Sequence, residues 1–142
     1  MNLPNREDIN PYPGDLDGQC AVENFLGKNR QQITSELARH SMSYQEDLMF
    51  MGPIAFCYYF PSVLDYLLEP GADGDADFIN GICAVMEFRL EHDRDEIKAT
   101  LSDMLRFAEI VQSSYGRFEV DEEIYGDLQA RFRHICESIR AN

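Results

Sequence analysis

Apolar residues recur along this chain at intervals of three and four, and nowhere do they alternate strictly with polar ones. That spacing is the period of a helix, so the pattern predicts an all-α fold. Its most regular stretch is Ile97, Leu101, Met104, Ala108, Val111 and Tyr115, and a second stripe follows at Ile124, Leu128, Phe132, Ile135 and Ile139. A connection of about four to six residues, marked by Gly116 and Asp121, predicts that these two helices close the chain as an antiparallel hairpin.

Start and stop signals divide the rest. Residues 1–16, with Pro4, Pro11, Pro13 and Gly14, read as an irregular leader, and 17–142 as a single all-α domain. Within that domain the signals predict a bundle of about six or seven helices. Asp15 or Asp17 opens the first helix, which carries Val22 and Phe25 and stops at Gly27. Asn29 caps a second, to about His40, with Ile33 and Leu37 on its apolar side. Ser43 and Glu46 form a capping-box pattern for a third, through Leu48 and Met51, that Gly52-Pro53 halts. Pro61 divides the following apolar run into Ile54–Tyr59 and Ser62–Leu68, since proline suits a first turn and breaks an interior one. Residues 69–77 read as a loop, with Asp75 or Asp77 capping a largely buried helix through Phe78, Ile82, Val85, Met86 and Leu90. Asp93 and Glu96 form a further capping pair.

Composition agrees with a folded chain: among 142 residues 44% are apolar, 27% charged, and nine are Phe and seven Tyr. The longest uncharged run, Leu48–Leu64, is interrupted by Gly52-Pro53 and Pro61 and is shorter than the roughly 20 residues a membrane span requires. It reads as core. Met1–Gly18 has no apolar stretch of the secretory kind. The four cysteines (20, 57, 83 and 136) lie far apart without zinc-site spacing, which implies reduced thiols in a cytoplasmic protein.

Charge changes the picture most. The net charge is −14, which opposes binding to nucleic-acid phosphate or anionic membrane and favours a basic protein partner. Its distribution is uneven: from His40 to Phe88 there is no Lys or Arg, while Glu46, Asp47, Asp65, Glu69, Asp73, Asp75, Asp77 and Glu87 are all acidic. These acids either share a binding face or solvate the outside of a very apolar segment.

Candidate chemistry is sparse. Asp73, Asp75 and Asp77 match the first half of a calcium loop, but Phe78 and Ala84 stand where that loop needs Gly and Glu. Glu87 and Glu91, one turn apart, and His92 form a candidate metal or enzymatic set, weighed against an ordinary surface helix with Arg89 and Arg94 at hand for salt bridges. No nucleophile elbow, phosphate loop or dinucleotide fingerprint is present, so neither a catalytic residue nor a cofactor is expected.

The run Tyr44-Gln45-Glu46-Asp47-Leu48-Met49-Phe50-Met51-Gly52-Pro53, continued by Ala55–Pro61, resembles a segment of a group of short, uncharacterised bacterial proteins. Glu87–Leu90 and Ile124–Asp127 are similar to the same group. The resemblance covers most of the chain after residue 15. It implies a bacterial single-domain helical protein and brings no activity with it; its apolar motifs around Gly-Pro imply fold maintenance. By type, such a small acidic helical protein resembles the immunity proteins, which block a toxin domain inside the producing cell. That analogy implies that Asp65, Glu69, Asp73, Asp75 and Asp77 meet toxin Lys or Arg, with Tyr58, Tyr59 or Tyr66 as aromatic anchors, although these tyrosines suit the core equally. A general interaction scaffold presenting the hairpin from Asp93 to Arg140 is the remaining reading.

Overall fold

A computed structural model describes residues 2–141. The described chain is all helical, with nine α-helices and three 3-10 turns. The α-helices are α1 (Arg6–Ile9), α2 (Leu16–Phe25), α3 (Arg30–Arg39), α4 (Gln45–Phe50), α5 (Pro53–Leu67), α6 (Ala76–His92), α7 (Leu101–Ser113), α8 (Glu122–Tyr125) and α9 (Leu128–Arg140). One continuous core joins Ile9 of α1 to Ile139 of α9.

Asp15 caps α2, Asn29 caps α3 in a reciprocal box with Gln32, and Asp75 caps α6. The leader is less irregular than its prolines imply. Asn5 and Asp8 form a capping box that closes the single turn of α1, and Ile9 is fully buried. Its carbonyl accepts from the amide of Gly52 at 2.9 Å. A Cβ on Gly52 would stand 2.2 Å from the carbonyl oxygen of Asp8, so the absence of a side chain is what lets the leader lie against the start of α5.

Three local expectations fail. Ser43 does not cap α4; the residue before that helix is Tyr44, with no side-chain cap bond. Pro61 does not divide the central run, because α5 continues through it. The carbonyl of Tyr58, in the turn that Pro61 disturbs, accepts from Arg30 Nε at 2.6 Å. Pro61 has no amide hydrogen for the Cys57 carbonyl four residues before it, and the Arg30 bond ties the next carbonyl of that turn to α3. Asp93 does not start the next helix; its carboxylate accepts from Arg89 Nη1 at 2.7 Å. The following residues turn through a 3-10 element, Lys98–Thr100, before α7 begins. Asp121 caps the single turn of α8, Gly126 adopts φ +72°, and Asp127 caps α9.

Helices α5 and α6 form the centre. Phe107 of α7 lies 5.9 Å from the Phe60 ring, 6.0 Å from Phe78 and 6.1 Å from Phe132, so one side chain joins α5, α6, α7 and α9. Burial of such a ring contributes roughly 1.5–3 kcal/mol. Helices α7 and α9 run antiparallel: Glu109 pairs with Arg140, while Gln112, further along α7, meets Cys136, earlier on α9. The closing hairpin is therefore present, with a connection from Ser114 to Asp127 that holds a 3-10 turn and α8. That connection carries the exposed acids Glu119, Asp121, Glu122 and Glu123.

Candidate functional site

Two segments distant in sequence meet at an acidic corner. The first follows α5: a 3-10 turn over Pro70–Ala72, then Asp73-Gly74-Asp75, then the start of α6. The second is the connection between α7 and α9. Its 3-10 turn, Tyr115–Phe118, ends at Glu119, a non-glycine residue with φ +53°. The amide of Gly74 donates to the carbonyl of Arg117 at 3.0 Å, and Arg117 Nη2 donates to the carbonyl of Glu69 at 2.7 Å. The Arg117 guanidinium pairs with Asp73, and the Tyr125 hydroxyl donates to Asp77.

Acids thereby collect. A Cβ on Gly74 would lie 2.8 Å from Glu119 Oε2, which places that carboxylate against the Asp73–Asp77 loop. The Tyr125 phenol is held above its usual range, first by its hydrogen bond to Asp77 and further by the charges of Asp77, Asp75 and Asp121. Asp121, Glu122 and Glu123, all exposed, continue the acidic surface along α8. Among them stands Ile124, 70% exposed. Its place in the apolar stripe predicts a buried residue, but the break at Gly126 rotates α8 away from the register of α9 and turns this side chain outward.

The acids expected to form the face are placed unequally. Asp73 and Asp77 are exposed at the corner, each with one internal partner. Asp75 is committed to the fold: it caps α6 through the Phe78 amide at 3.2 Å and accepts from Ser41 Oγ at 2.7 Å and Tyr66 Oη at 2.9 Å. Asp65 and Glu69 line a separate groove with Arg30 and Arg39, where the charges are mixed. The expected aromatic anchors are interior. Tyr59 is fully buried and donates to the carbonyls of Phe25 and Lys28 at 2.9 and 2.8 Å. Tyr58 and Tyr66 are also buried, Tyr58 beneath the Arg30 guanidinium at 4.5 Å. Burial pushes the phenols of Tyr59 and Tyr66 up to about 12. Ile124 is exposed at the corner instead, with Tyr125 half-buried beside it.

The metal candidates are not brought together as a ligand set. Glu87 is held by Arg131 through two bonds, of 2.5 and 3.1 Å, in a groove of about 260 Å³ that Glu91 and His134 also line. His92 instead stacks on Phe88 at 4.3 Å. Among the described residues, no group of three or more His, Cys, Asp or Glu could hold a metal ion. Arg89, expected on the surface, is buried: it donates to the carbonyls of Leu48 and Met51 and lies 4.5 Å from the Phe56 ring. The four cysteines are free, and burial raises the thiols of Cys57, Cys136 and Cys83, the last to about 12. That direction disfavours the thiolate a nucleophile would need.

Sequence reasoning missed Arg117, Glu119 and Tyr125. The one local signal was Tyr125-Gly126-Asp127, in which a helix breaker precedes a second cap. Among the described residues no helix is long and apolar enough to cross a membrane. No protein-family model, no curated protein and no solved structure matches the chain.

Proposed function

We propose that the protein is a non-enzymatic binding module that covers a basic protein surface with the acidic corner, in the manner of a bacterial immunity protein neutralising a toxin domain in the cytoplasm. The observation that carries this reading is the exposed Ile124 beside Asp121, Glu122 and Glu123 on α8, a turn that Tyr125 ties to Asp77. A projecting apolar side chain gives a partner pocket something to desolvate, and the surrounding carboxylates speed encounter with Lys and Arg and fix orientation. The net charge of −14 supports the same choice of partner over nucleic acid or anionic lipid. A toxin that grips phosphate presents the basic surface this corner complements.

The test is affinity capture from the native cell lysate at low and high salt, with the wild-type chain beside a variant carrying Asp121→Asn, Glu122→Gln and Glu123→Gln. None of these changes lies in the core. The expected result is a basic protein retained by the wild type, released by salt, lost with the variant, and inhibited in its own activity when bound. Equal retention by the variant would remove the corner from the function.

A further inference from the structure

The apposition of α1 to the start of α5 leaves a groove of about 510 Å³ between the leader and Pro53-Ile54, with no residue of α8 in its lining. Tyr12 and Ile54 line it and are 74% and 64% exposed, so two large apolar side chains stand in solvent at one concavity. Pro11, Pro13 and Pro53 stiffen its walls. The leader is fixed to the base by the Ile9–Gly52 hydrogen bond and by the close backbone approach at Gly52. The groove is therefore preformed, and filling it requires little ordering of the protein.

Its chemistry specifies the occupant. Three of the lining residues are carboxylates, Glu7, Asp8 and Glu96, three are prolines, which have no amide hydrogen, and the side-chain donors are the neutral groups of Asn10 and Tyr12. No Lys, Arg or His lines it. A complementary ligand must bring positive charge to meet three carboxylates, together with an apolar side chain to cover Tyr12 and Ile54. We infer that this groove docks an extended segment of another protein in which an apolar residue is flanked by Lys or Arg. The inference is independent of the acidic corner.

The experiment is a titration of the isotope-labelled full chain, followed by amide and methyl NMR, with two end-blocked heptapeptides of equal charge. One alternates lysine with leucine, and the other alternates lysine with glycine. The leucine peptide is expected to shift resonances of Tyr12, Ile54 and Glu96 and to bind at least tenfold more tightly than the glycine peptide. Tyr12→Ala and Ile54→Ser, both at exposed positions, are each expected to weaken the leucine peptide at least fivefold while the rest of the spectrum keeps its wild-type dispersion. Equal binding of the two peptides, unchanged affinity of both variants, or shifts centred on residues 119–125 would overturn the assignment.

Discussion

Arg117 and Asp73, from segments 44 residues apart, form an ion pair across the acidic corner. The pair fastens the connection between α7 and α9 to the start of α6 and neutralises one acid of the surface. Both partners remain accessible, with side-chain exposures of 24% and 59%, so the contact contributes about 1 kcal/mol or less. Arg117→Gln removes this pair together with the Nη2 bond to the Glu69 carbonyl, so it is expected to lower unfolding stability by about 1–2 kcal/mol and to strengthen capture of a basic partner at low salt. Urea denaturation and salt-dependent binding read the two effects separately. Weaker binding at unchanged stability would show that the guanidinium itself contacts the partner.

Ile124 separates binding from folding in the opposite sense. Because it is 70% exposed, Ile124→Ser is expected to change stability by less than about 0.5 kcal/mol. Loss of an apolar anchor at the centre of an interface costs about 1–2 kcal/mol or more, which corresponds to at least a fivefold weakening of the complex. Calorimetry with the captured partner provides the number. Full retention of affinity would show that the acids act without an apolar anchor.

Arg89 provides a test of the interior. It is 3% exposed, and it satisfies the carbonyls of Leu48 and Met51 and the carboxylate of Asp93 together. Arg89→Ala would leave Asp93 without its cation and two carbonyls without their donor, for a loss of about 3–5 kcal/mol. Arg89→Met, which keeps the volume beside Phe56, is expected to lose less. The double change Arg89→Met with Asp93→Asn should recover part of the difference. Chemical denaturation of the three variants measures this, and an Arg89→Ala chain as stable as the wild type would contradict the role.

What could be read from the sequence was local. Asn29, Asp75 and the stripe from Leu128 to Ile139 act within a turn or two of themselves, and their caps and burial follow from spacing. What could not be read depends on distant partners. Pro61 looks like a break, yet α5 runs through it, buried on most sides and tied to α3 by Arg30 at the Tyr58 carbonyl. Ser43 and Glu46 match a capping box that does not form, and Asp93 serves Arg89 instead of opening a helix. The acidic stretch around residues 73–77 was visible as composition. Its union with Glu119–Glu123 was not, because the two meet through Arg117, Glu119 and Tyr125, more than 40 residues away in the chain. The aromatic anchors failed for a related reason: alternation of buried and exposed faces says little in α5, where nearly every side chain is apolar and most are buried.

Asp47 fixes the sign of one pH effect. It is 6% exposed, and its carboxylate accepts from Asn24 Nδ2 at 2.7 Å. Burial, the leading cause, raises its pKa above the usual aspartate range, the charges of Glu46 and Asp17 add to the rise, and the Asn24 bond opposes it. A carboxyl raised in the folded state holds its proton there after the unfolded chain has released it, so stability falls as pH climbs from about 4 to the raised folded value. Above that window the whole penalty of a buried charge is present, and below it the penalty is absent. Asp47→Asn removes the charge and keeps an oxygen for Asn24. The variant is therefore expected to be more stable than the wild type at pH 7, to lose the slope across the window, and to approach the wild type near pH 3. Urea midpoints across the pH range test all three points. A variant less stable at pH 7 would mean that the charged hydrogen bond to Asn24 outweighs the cost of burying the carboxylate.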